Sequence, residues 1–225
     1  MEIIRQGRVF SGGRRHHEIV APFLPKDAPW IDITAPLDAV FGQYVSLTSH
    51  LSPLTSDIVV FASGDPLFYG FANTVKRRMP EAEIVVYPAF NSLQMLAHRL
   101  LMPYHDMRIV SLTGRPWGEF DKALIERAKK IGVLTDREHT PAAIARRMIE
   151  YGYTDYEMSV GEHLDNPAGE RIVTLPLKEA VTTEFAMPNC VILRPVCCGS
   201  IAPKPFGIPD AAFSLLNGRE KMITK

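Results

Sequence analysis

The chain has 225 residues, and its 25 Lys and Arg residues are balanced by 25 Asp and Glu residues, so its formal net charge is zero. A neutral chain lacks the basic excess that marks binding to nucleic acid or to an anionic membrane, so a small-molecule substrate is favoured over either partner. The length allows one large α/β domain or two modest ones.

The N-terminal half alternates short apolar runs with longer amphipathic stretches. Residues 1–10 contain no apolar run behind a basic start, so no signal peptide is predicted. The alternation is typical of a largely parallel sheet with crossover helices. The predicted strands are residues 7–10, 30–33, 57–62 and 83–87. Of these, we expect 57–62 to be the most deeply buried.

Two of these strands lead into loops that carry helix-capping residues. Asp65 precedes Pro66, as an N-cap precedes a proline at the first helical position, and Asn91 precedes Gln94 with capping-box spacing. Both loops would offer backbone N–H groups to a ligand. Gly64 would let that ligand approach the backbone, and Asp65 could face its cationic group. The alternative is that these residues only make a turn and cap a helix.

The turn at Asn91 and Ser92 also allows two interpretations. Its short polar side chains could hydrogen-bond a ligand carboxylate or hydroxyl, because a helix N-terminus favours negative charge. A plain capping box accounts for the same residues and is favoured by the spacing alone.

The second half continues the alternation and then changes, and we expect the domain boundary at residues 105–106. Four elements follow it: a strand at 108–112, a helix at 120–129, a strand at 132–135, and a helix opened by Thr140-Pro141 and closed by Gly152. Brief loops then join strands at 156–160, 170–174 and 189–193, which favours antiparallel pairing. The predicted domains are therefore residues 1–106 and 107–194.

Residues 195–225 are rich in proline and glycine and poor in core residues, which indicates a linker or tail that could lead to a further domain in a longer parent protein. Cys190, Cys197 and Cys198 lack the paired spacing of a structural zinc site, so no metal site is predicted and a reducing compartment is favoured. No stretch approaches the roughly 20 apolar residues of a membrane span. The sequence therefore predicts a soluble, cytoplasmic protein.

Five segments in this order resemble the tetrapyrrole (corrin/porphyrin) methylase superfamily, and the ordered set is far more specific than any one of them. They are residues 63–68, 88–93, 111–115, 134–136 with Thr140-Pro141, and 161–162 with 170–171. The opening Phe10-Ser11-Gly12-Gly13-Arg14-Arg15-His16 and the later Pro36-Leu37-Asp38 resemble, in particular, the branch that methylates precorrin-6Y or cobalt-precorrin-7 at carbon-5 in cobalamin biosynthesis.

The resemblance implies two α/β domains with S-adenosylmethionine in the cleft between them and S-adenosylhomocysteine as the product. The cofactor-binding residues it implies are Gly64, Asp65, Pro66, Leu67, Asn91, Ser92, Leu134 and Thr135, with Asp136 a weaker candidate. No catalytic residue is identified. Methyl transfer from a sulfonium needs little acid–base chemistry, so binding and orientation would be the protein's main contribution.

Three arginines are candidates for the substrate. Arg14, Arg15 and Arg115 could bind the acetate and propionate carboxylates of a precorrin through bidentate pairs, or they could be ordinary solvated arginines. The neighbouring His16 and His17 could supply a base, although a pair of surface histidines is more often a bystander.

The resemblance also implies a homodimer, and a carbon-5 enzyme is often fused to or paired with a decarboxylating precorrin methyltransferase. The family begins with a strand and a glycine-rich turn, for which we find no counterpart before residues 7–10. Residues 1–6 look like the helix that follows that strand. The first strand is therefore expected to be missing, and with it one side of the cofactor pocket.

Three alternatives are kept open by the sequence. The first is a related superfamily methyltransferase that acts on RNA or protein, against which the lack of clustered lysines argues weakly. The second is a truncated, non-catalytic interaction module. The third, a dinucleotide dehydrogenase, is poor because no GxGxxG follows a predicted strand.

Overall fold

The computed structural model describes residues 2–50 and 57–196, which divide into two compact units. The N-terminal unit runs to Asn91 and the C-terminal unit begins at Ser92. This division precedes the boundary expected at residues 105–106 because helix α5 (Ser92–Arg99) packs in the C-terminal unit. There the Cys190 thiol lies 3.5 Å from the Ser92 carbonyl oxygen.

The N-terminal unit is built on a three-stranded parallel sheet in the order β2-β1-β3. The strands are β1 (Val9–Gly12), β2 (Trp30–Asp32) and β3 (Ile58–Val60). The helices are α1 (Glu2–Gln6), α2 (Arg14–Val20), α3 (Leu37–His50) and α4 (Phe71–Arg78), with a 3₁₀ turn at Ala21–Phe23. The predicted parallel α/β arrangement is confirmed here.

The core of this unit lies between β1 and helix α3. Val40, Phe41 and Tyr44 share one face of α3, at helical spacing, and are buried with Val9 and Ile31. Strand β1 is buried along its whole length. Its polar residue, Ser11, is satisfied there because its hydroxyl lies 2.8 Å from the Ile31 carbonyl oxygen and 2.7 Å from the Tyr44 hydroxyl.

Two strand predictions for this unit were wrong. Residues 57–62 were expected to be the most buried strand, but β3 is only partly buried. The fully buried strand of this sheet is β1. Residues 83–87 form no strand, and the side chains of Val85 and Tyr87 are 68% and 60% exposed. The physical reason is that a strand requires a hydrogen-bonded neighbour, and this segment pairs with no described strand.

The C-terminal unit contains a five-stranded sheet in the order β4-β5-β8-β6-β7. The strands are β4 (Arg108–Ser111), β5 (Ile131–Leu134), β6 (Tyr156–Glu162), β7 (Arg171–Pro176) and β8 (Asn189–Pro195). Strands β4 and β5 are parallel, and the other pairs are antiparallel, as the brief loops predicted. The remaining helices are α6 (Gly118–Ile125), α7 (Pro141–Glu150) and α8 (Leu177–Ala180).

Helix α7 shows how the local sequence signals act. The Thr140 hydroxyl accepts a hydrogen bond from the Ala143 N–H at 3.2 Å, so Thr140 is the predicted N-cap. Gly152 ends the segment with φ +78°, which is the left-handed backbone that favours glycine. Between these ends, Ile144 and Met148 are fully buried in the core of the unit.

Residues 197–225, with Cys197, Cys198 and most of the predicted linker, lie outside the described residues. Within the described part of the chain, no helix combines the length and apolarity needed to cross a bilayer.

Candidate functional site

The loop after β3 brings the two predicted cofactor-binding segments of the N-terminal unit together. Gly64 adopts φ +61°, and a Cβ added there would lie 3.4 Å from the Cα of Asn91 and 3.6 Å from the Phe90 carbonyl oxygen. A side chain at Gly64 would therefore be strained and would crowd the Asn91 turn. Both segments meet beyond the carboxyl end of β3, where ligands of open α/β sheets bind.

Asp65 does not cap a helix, contrary to the sequence prediction. Helix α4 begins at Phe71 with Gly70 as its N-cap, and a side chain at Gly70 would clash with the Pro66 carbonyl oxygen. The Asp65 carboxylate instead accepts the Leu67 N–H at 2.9 Å through Oδ1. Its Oδ2 accepts no hydrogen bond from another described residue, so this oxygen can face a cationic ligand group.

The turn at Asn91 leads directly into a helix. Helix α5 begins at Ser92, directly after Asn91, which is 92% buried. Pro66 is half-buried in the facing loop, whereas the Leu67 side chain is 53% exposed. The cofactor-binding residues predicted in this unit therefore lie on two backbone turns, and one of them, Asp65, contributes a carboxylate.

Thr135 follows β5 and is 8% exposed, but its hydroxyl already has protein partners. The Thr135 Oγ1 lies 2.6 Å from the Asn189 carbonyl oxygen and 2.7 Å from the Asn189 Oδ1. The Thr135 carbonyl oxygen accepts from the Thr113 hydroxyl at 3.1 Å. A ligand beside Leu134 and Thr135 would consequently meet backbone and the half-buried Leu134 side chain rather than the threonine hydroxyl.

Asp136 organises the two loops that follow β4 and β5. Its Oδ2 accepts the Gly114 N–H at 2.9 Å, and its Oδ1 accepts the N–H groups of Glu138 and His139 at 2.9 and 2.7 Å. The His139 Nδ1 lies 3.0 Å from the same oxygen. Partial burial raises the pKa of Asp136, but these hydrogen bonds outweigh it and lower the pKa to about 2.

These loops line an open, solvent-facing cavity of about 630 Å³ in the C-terminal unit. Its lining residues are Gly114, Arg115, Pro116, Asp136, Arg137, Glu138 and His139. Arg115 is exposed, and its guanidinium donates to the Ser111 hydroxyl at 2.9 Å and to the Thr113 carbonyl oxygen at 3.0 Å. The cavity therefore presents an oriented guanidinium, and the Asp136 carboxylate is engaged in holding its wall.

The segment pair 161–162 and 170–171 has a structural role in the same unit. Glu162 and Arg171 are opposite each other in the β6–β7 register, and their side chains form an ion pair at 3.1 Å. Glu162 is 2% exposed and also accepts the Ala186 N–H at 2.8 Å. This buried carboxylate is fully partnered, so it fixes the sheet rather than offering a reactive group.

The glycine-rich turn after β1 holds the two other candidate arginines and a contact that sequence reasoning missed. Arg14 and Arg15 begin helix α2 and are exposed. The Nε2 of His16 lies 3.0 Å from the Ser63 hydroxyl oxygen, in the loop after β3. The two residues are far apart in sequence, and only the strand order could have revealed that their loops are neighbours.

A sequence profile of the tetrapyrrole (corrin/porphyrin) methylases matches residues 1–181. One similar protein is the precorrin-6Y C(5,15)-methyltransferase (decarboxylating) of Sinorhizobium sp, which is 31% identical over 76% of this chain. That alignment covers 39% of the Sinorhizobium protein, so the chain spans about two fifths of the length of this relative. The cobalt-precorrin-7 C(5)-methyltransferase of Salmonella typhimurium is 28% identical over 86% of this chain and 89% of its own length.

Solved structures show the same fold at lower sequence identity. The precorrin-6Y methylase of Archaeoglobus fulgidus is 19% identical, with a TM-score of 0.59 over 86% of this chain and 88% of that one. The uroporphyrin-III C-methyltransferase of Thermus thermophilus, crystallised with S-adenosylhomocysteine, is 21% identical, with a TM-score of 0.61 over 86% of this chain and 83% of that one.

Proposed function

The chain belongs to the tetrapyrrole (corrin/porphyrin) methylases, and from this membership we propose that it transfers a methyl group from S-adenosylmethionine to carbon-5 of a precorrin or cobalt-precorrin in cobalamin biosynthesis. Relatives with carbon-5 methyltransferase names support the position on the ring. The Thermus structure with S-adenosylhomocysteine supports the cofactor.

The observation that carries this proposal is the turn beyond β3. Gly64 holds a left-handed backbone beside the buried Asn91, and the Asp65 carboxylate keeps one oxygen without a described partner. A carboxylate beside an open backbone turn fits the ammonium group of the cofactor's methionine end. Gly64, Asp65, Pro66 and Leu67 would bind this end, and Asn91 would restrict its position.

The C-terminal unit would contribute a different type of contact. Leu134 and Thr135 would approach the adenine through backbone and apolar surface, because the Thr135 hydroxyl is bonded to Asn189. Ser92, the first residue of α5, is the remaining cofactor candidate of this unit. These assignments rest on the family resemblance and agree with the chemical groups present at each position.

The substrate would be bound through its carboxylates. Arg14, Arg15 and Arg115 are exposed guanidiniums, and such groups bind carboxylates in bidentate pairs. Bound S-adenosylmethionine would supply a methyl group bonded to a sulfonium sulfur. This sulfur is an activated leaving group, because it departs as the neutral thioether of S-adenosylhomocysteine. The residues of the chain would therefore bind and orient the substrate carbon and exclude water, and no acid–base residue is assigned.

Calorimetric titration of the 225-residue chain with S-adenosylhomocysteine tests the cofactor site. Asp65→Asn keeps the acceptor for the Leu67 N–H but removes the charge, so we expect affinity to fall about 10- to 100-fold. Asp57→Asn is the matched control because Asp57 is exposed at the opposite end of β3, and its affinity should be unchanged. Absence of binding by the unaltered chain would contradict the proposal and favour a non-catalytic module.

Methyl transfer itself is tested by incubating the chain with S-adenosylmethionine and a precorrin, with or without cobalt, and measuring the mass gain of one methyl group. We also propose a cytoplasmic homodimer that works beside, or fused to, a decarboxylating precorrin methyltransferase. Size-exclusion chromatography with light scattering tests the dimer, and co-purification tests the partner enzyme.

A further inference from the structure

His16 and Ser63 meet at the carboxyl edge of the N-terminal sheet. Strands β1 and β3 pair in parallel, and the Phe61 N–H extends that pairing by donating to the Ser11 carbonyl oxygen at 2.8 Å. The loops that follow the two strands therefore leave the sheet side by side. As a result, the His16 Nε2 lies 3.0 Å from the Ser63 Oγ.

The backbone determines which nitrogen of His16 carries the proton. The Gly13 N–H donates to the His16 Nδ1 at 3.2 Å, so Nδ1 presents its lone pair. A neutral imidazole then carries its proton on Nε2, which donates to the Ser63 oxygen. Burial and the neighbouring Arg15 lower the pKa of His16, which favours this neutral form.

This arrangement directs the proton of Ser63 away from His16. The Ser63 oxygen accepts from the histidine and forms no other hydrogen bond with a described residue, while the serine itself is exposed. Its O–H is therefore available to donate to an acceptor atom on a ligand. The pair acts as a fixed donor at the edge where a ligand is expected.

The absence of a side chain at Gly12 leaves room for both His16 and Trp30. A Cβ added at Gly12 would lie 3.1 Å from the His16 Cβ and 3.0 Å from the Trp30 Cη2, so a larger residue would displace one of them. His17, the next residue, instead stacks on the Trp30 ring with 4.2 Å between centroids. The two adjacent histidines thus have different roles, and only His16 contacts the loop after β3 among the contacts described.

The charges around Ser63 indicate the chemistry of the ligand group. Arg14 and Arg15 lie on the same turn as His16, are exposed, and form no ion pair with another described residue. Two guanidiniums on the helix turn that also carries His16 favour a carboxylate and disfavour a cation at this edge of the sheet. The ammonium and sulfonium of the cofactor fit the Asp65 side of the loop better, so the acceptor is assigned to the substrate.

We propose that Ser63 donates a hydrogen bond to a side-chain carboxylate of the tetrapyrrole substrate and that His16 is the positioning residue that orients Ser63 for this contact. The inference rests on the proposed function and adds to it the identity of a substrate-binding pair. It assigns the glycine-rich turn after β1 to substrate recognition and the loop at Gly64 and Asp65 to the cofactor.

The test measures binding of hydrogenobyrinic acid, a metal-free corrin that carries carboxylates, to the chain in the presence of S-adenosylhomocysteine. Ser63→Ala should weaken corrin binding about 10-fold, and Ser63→Thr, which keeps the hydroxyl, should retain it. His16→Ala should weaken binding to a similar extent. The double variant should lose little more than either single variant, because both act through one hydrogen bond.

Two further variants separate positioning from general structural damage. His16→Gln should recover part of the affinity, because its amide N–H can reach the place of Nε2. His17→Gln is the matched control on the same helix and should bind the corrin as the unaltered chain does. All of these variants should bind S-adenosylhomocysteine with unchanged affinity.

Each contrary outcome has a distinct meaning. Unchanged corrin binding by Ser63→Ala, or an equal loss in His17→Gln, would overturn the inference while leaving the proposed function intact. A loss of S-adenosylhomocysteine affinity in Ser63→Ala would also overturn it, because Ser63 would then contact the cofactor. Failure of the unaltered chain to bind S-adenosylhomocysteine would instead overturn the proposed function.

Discussion

The two units use similar apolar runs with different results. In the C-terminal unit every predicted strand forms and is paired, and the sheet covers a core that includes Phe120, Met158 and Val191. In the N-terminal unit β3 is only partly buried, and the run at residues 83–87 remains unpaired among the described residues. Apolar alternation therefore specifies the tendency to form a strand, while a neighbouring strand decides whether it forms.

The largest effect that would sharpen this comparison is on core packing. Phe120→Ala removes a fully buried ring from the C-terminal unit and should cost about 3–5 kcal/mol. Phe90→Ala removes a ring that is 60% exposed in the N-terminal unit and should cost less than about 0.5 kcal/mol. The chain has two tryptophans, Trp30 in the N-terminal unit and Trp117 in the C-terminal unit. Urea unfolding followed by tryptophan fluorescence therefore reports on the C-terminal unit in a Trp30→Phe background and on the N-terminal unit in a Trp117→Phe background. Equal losses for the two phenylalanines would break the comparison.

A smaller difference is expected for the ion pairs. The Glu162 side chain is 3% exposed and accepts hydrogen bonds from the Arg171 guanidinium and the Ala186 N–H. Glu162→Gln should therefore lower the free energy of unfolding by about 1–3 kcal/mol. Asp38 of the N-terminal unit pairs with Arg78 but its side chain is 79% exposed, so Asp38→Asn should change stability by less than about 0.5 kcal/mol. The same urea experiments measure both. If Asp38→Asn lowered the free energy of unfolding as much as Glu162→Gln does, burial would not explain the difference between the two ion pairs.

The loops of the C-terminal unit should also make it acid-sensitive. The pKa of Asp136 is about 2 in the folded chain, below its ordinary value of 3.8, so its stabilisation is fully present above pH 3.8 and is lost as the pH falls toward 2. We expect about 1–2 kcal/mol, discounted for partial exposure, to disappear across this range. Asp136→Asn should be less stable at pH 7 and should show a flatter acid limb. Asp57→Asn is the control in the other unit, and a matching change there would contradict the assignment.

The smallest difference concerns two glycines with the same backbone. Gly64 and Gly114 have φ +61° and +62°, so substitution by alanine should cost about 1 kcal/mol at either position. Gly114 has no atom within 4 Å of an added Cβ, whereas Gly64 faces the Asn91 Cα at 3.4 Å, so Gly64→Ala should cost slightly more. Thermal unfolding measures this difference. A larger loss for Gly114→Ala would show that crowding at Asn91 is unimportant.

Features encoded by neighbouring residues could be predicted from the sequence. Thr140, Pro141 and Gly152 set the ends of helix α7 through contacts within a few residues, and the structure confirms them. The Gly64 turn is similarly local. The prediction that Asp65 caps a helix was wrong because the chain continues through a tight turn, with Tyr69 at φ +54°, before α4 begins at Phe71.

Features that depend on strand order could not be predicted in the same way. The His16–Ser63 contact joins residues on β1 and β3 loops, and the Thr135 hydroxyl is taken by Asn189 at the start of β8. The partners of these two contacts lie 47 and 54 positions apart in the sequence. A sequence without known strand neighbours leaves such partners undetermined.

The edge strands described above differ in how well they resist aggregation. Among the strands that the structure describes, β3 pairs only with β1, and its residues Ile58, Val59 and Val60 carry neither charge nor proline. The edge strands of the other sheet are blunted, since β4 begins with Arg108 and β7 runs from Arg171 to Pro176. Concentrated solutions should therefore self-associate first along β3, and a second chain adding its own strand there would seed higher assemblies.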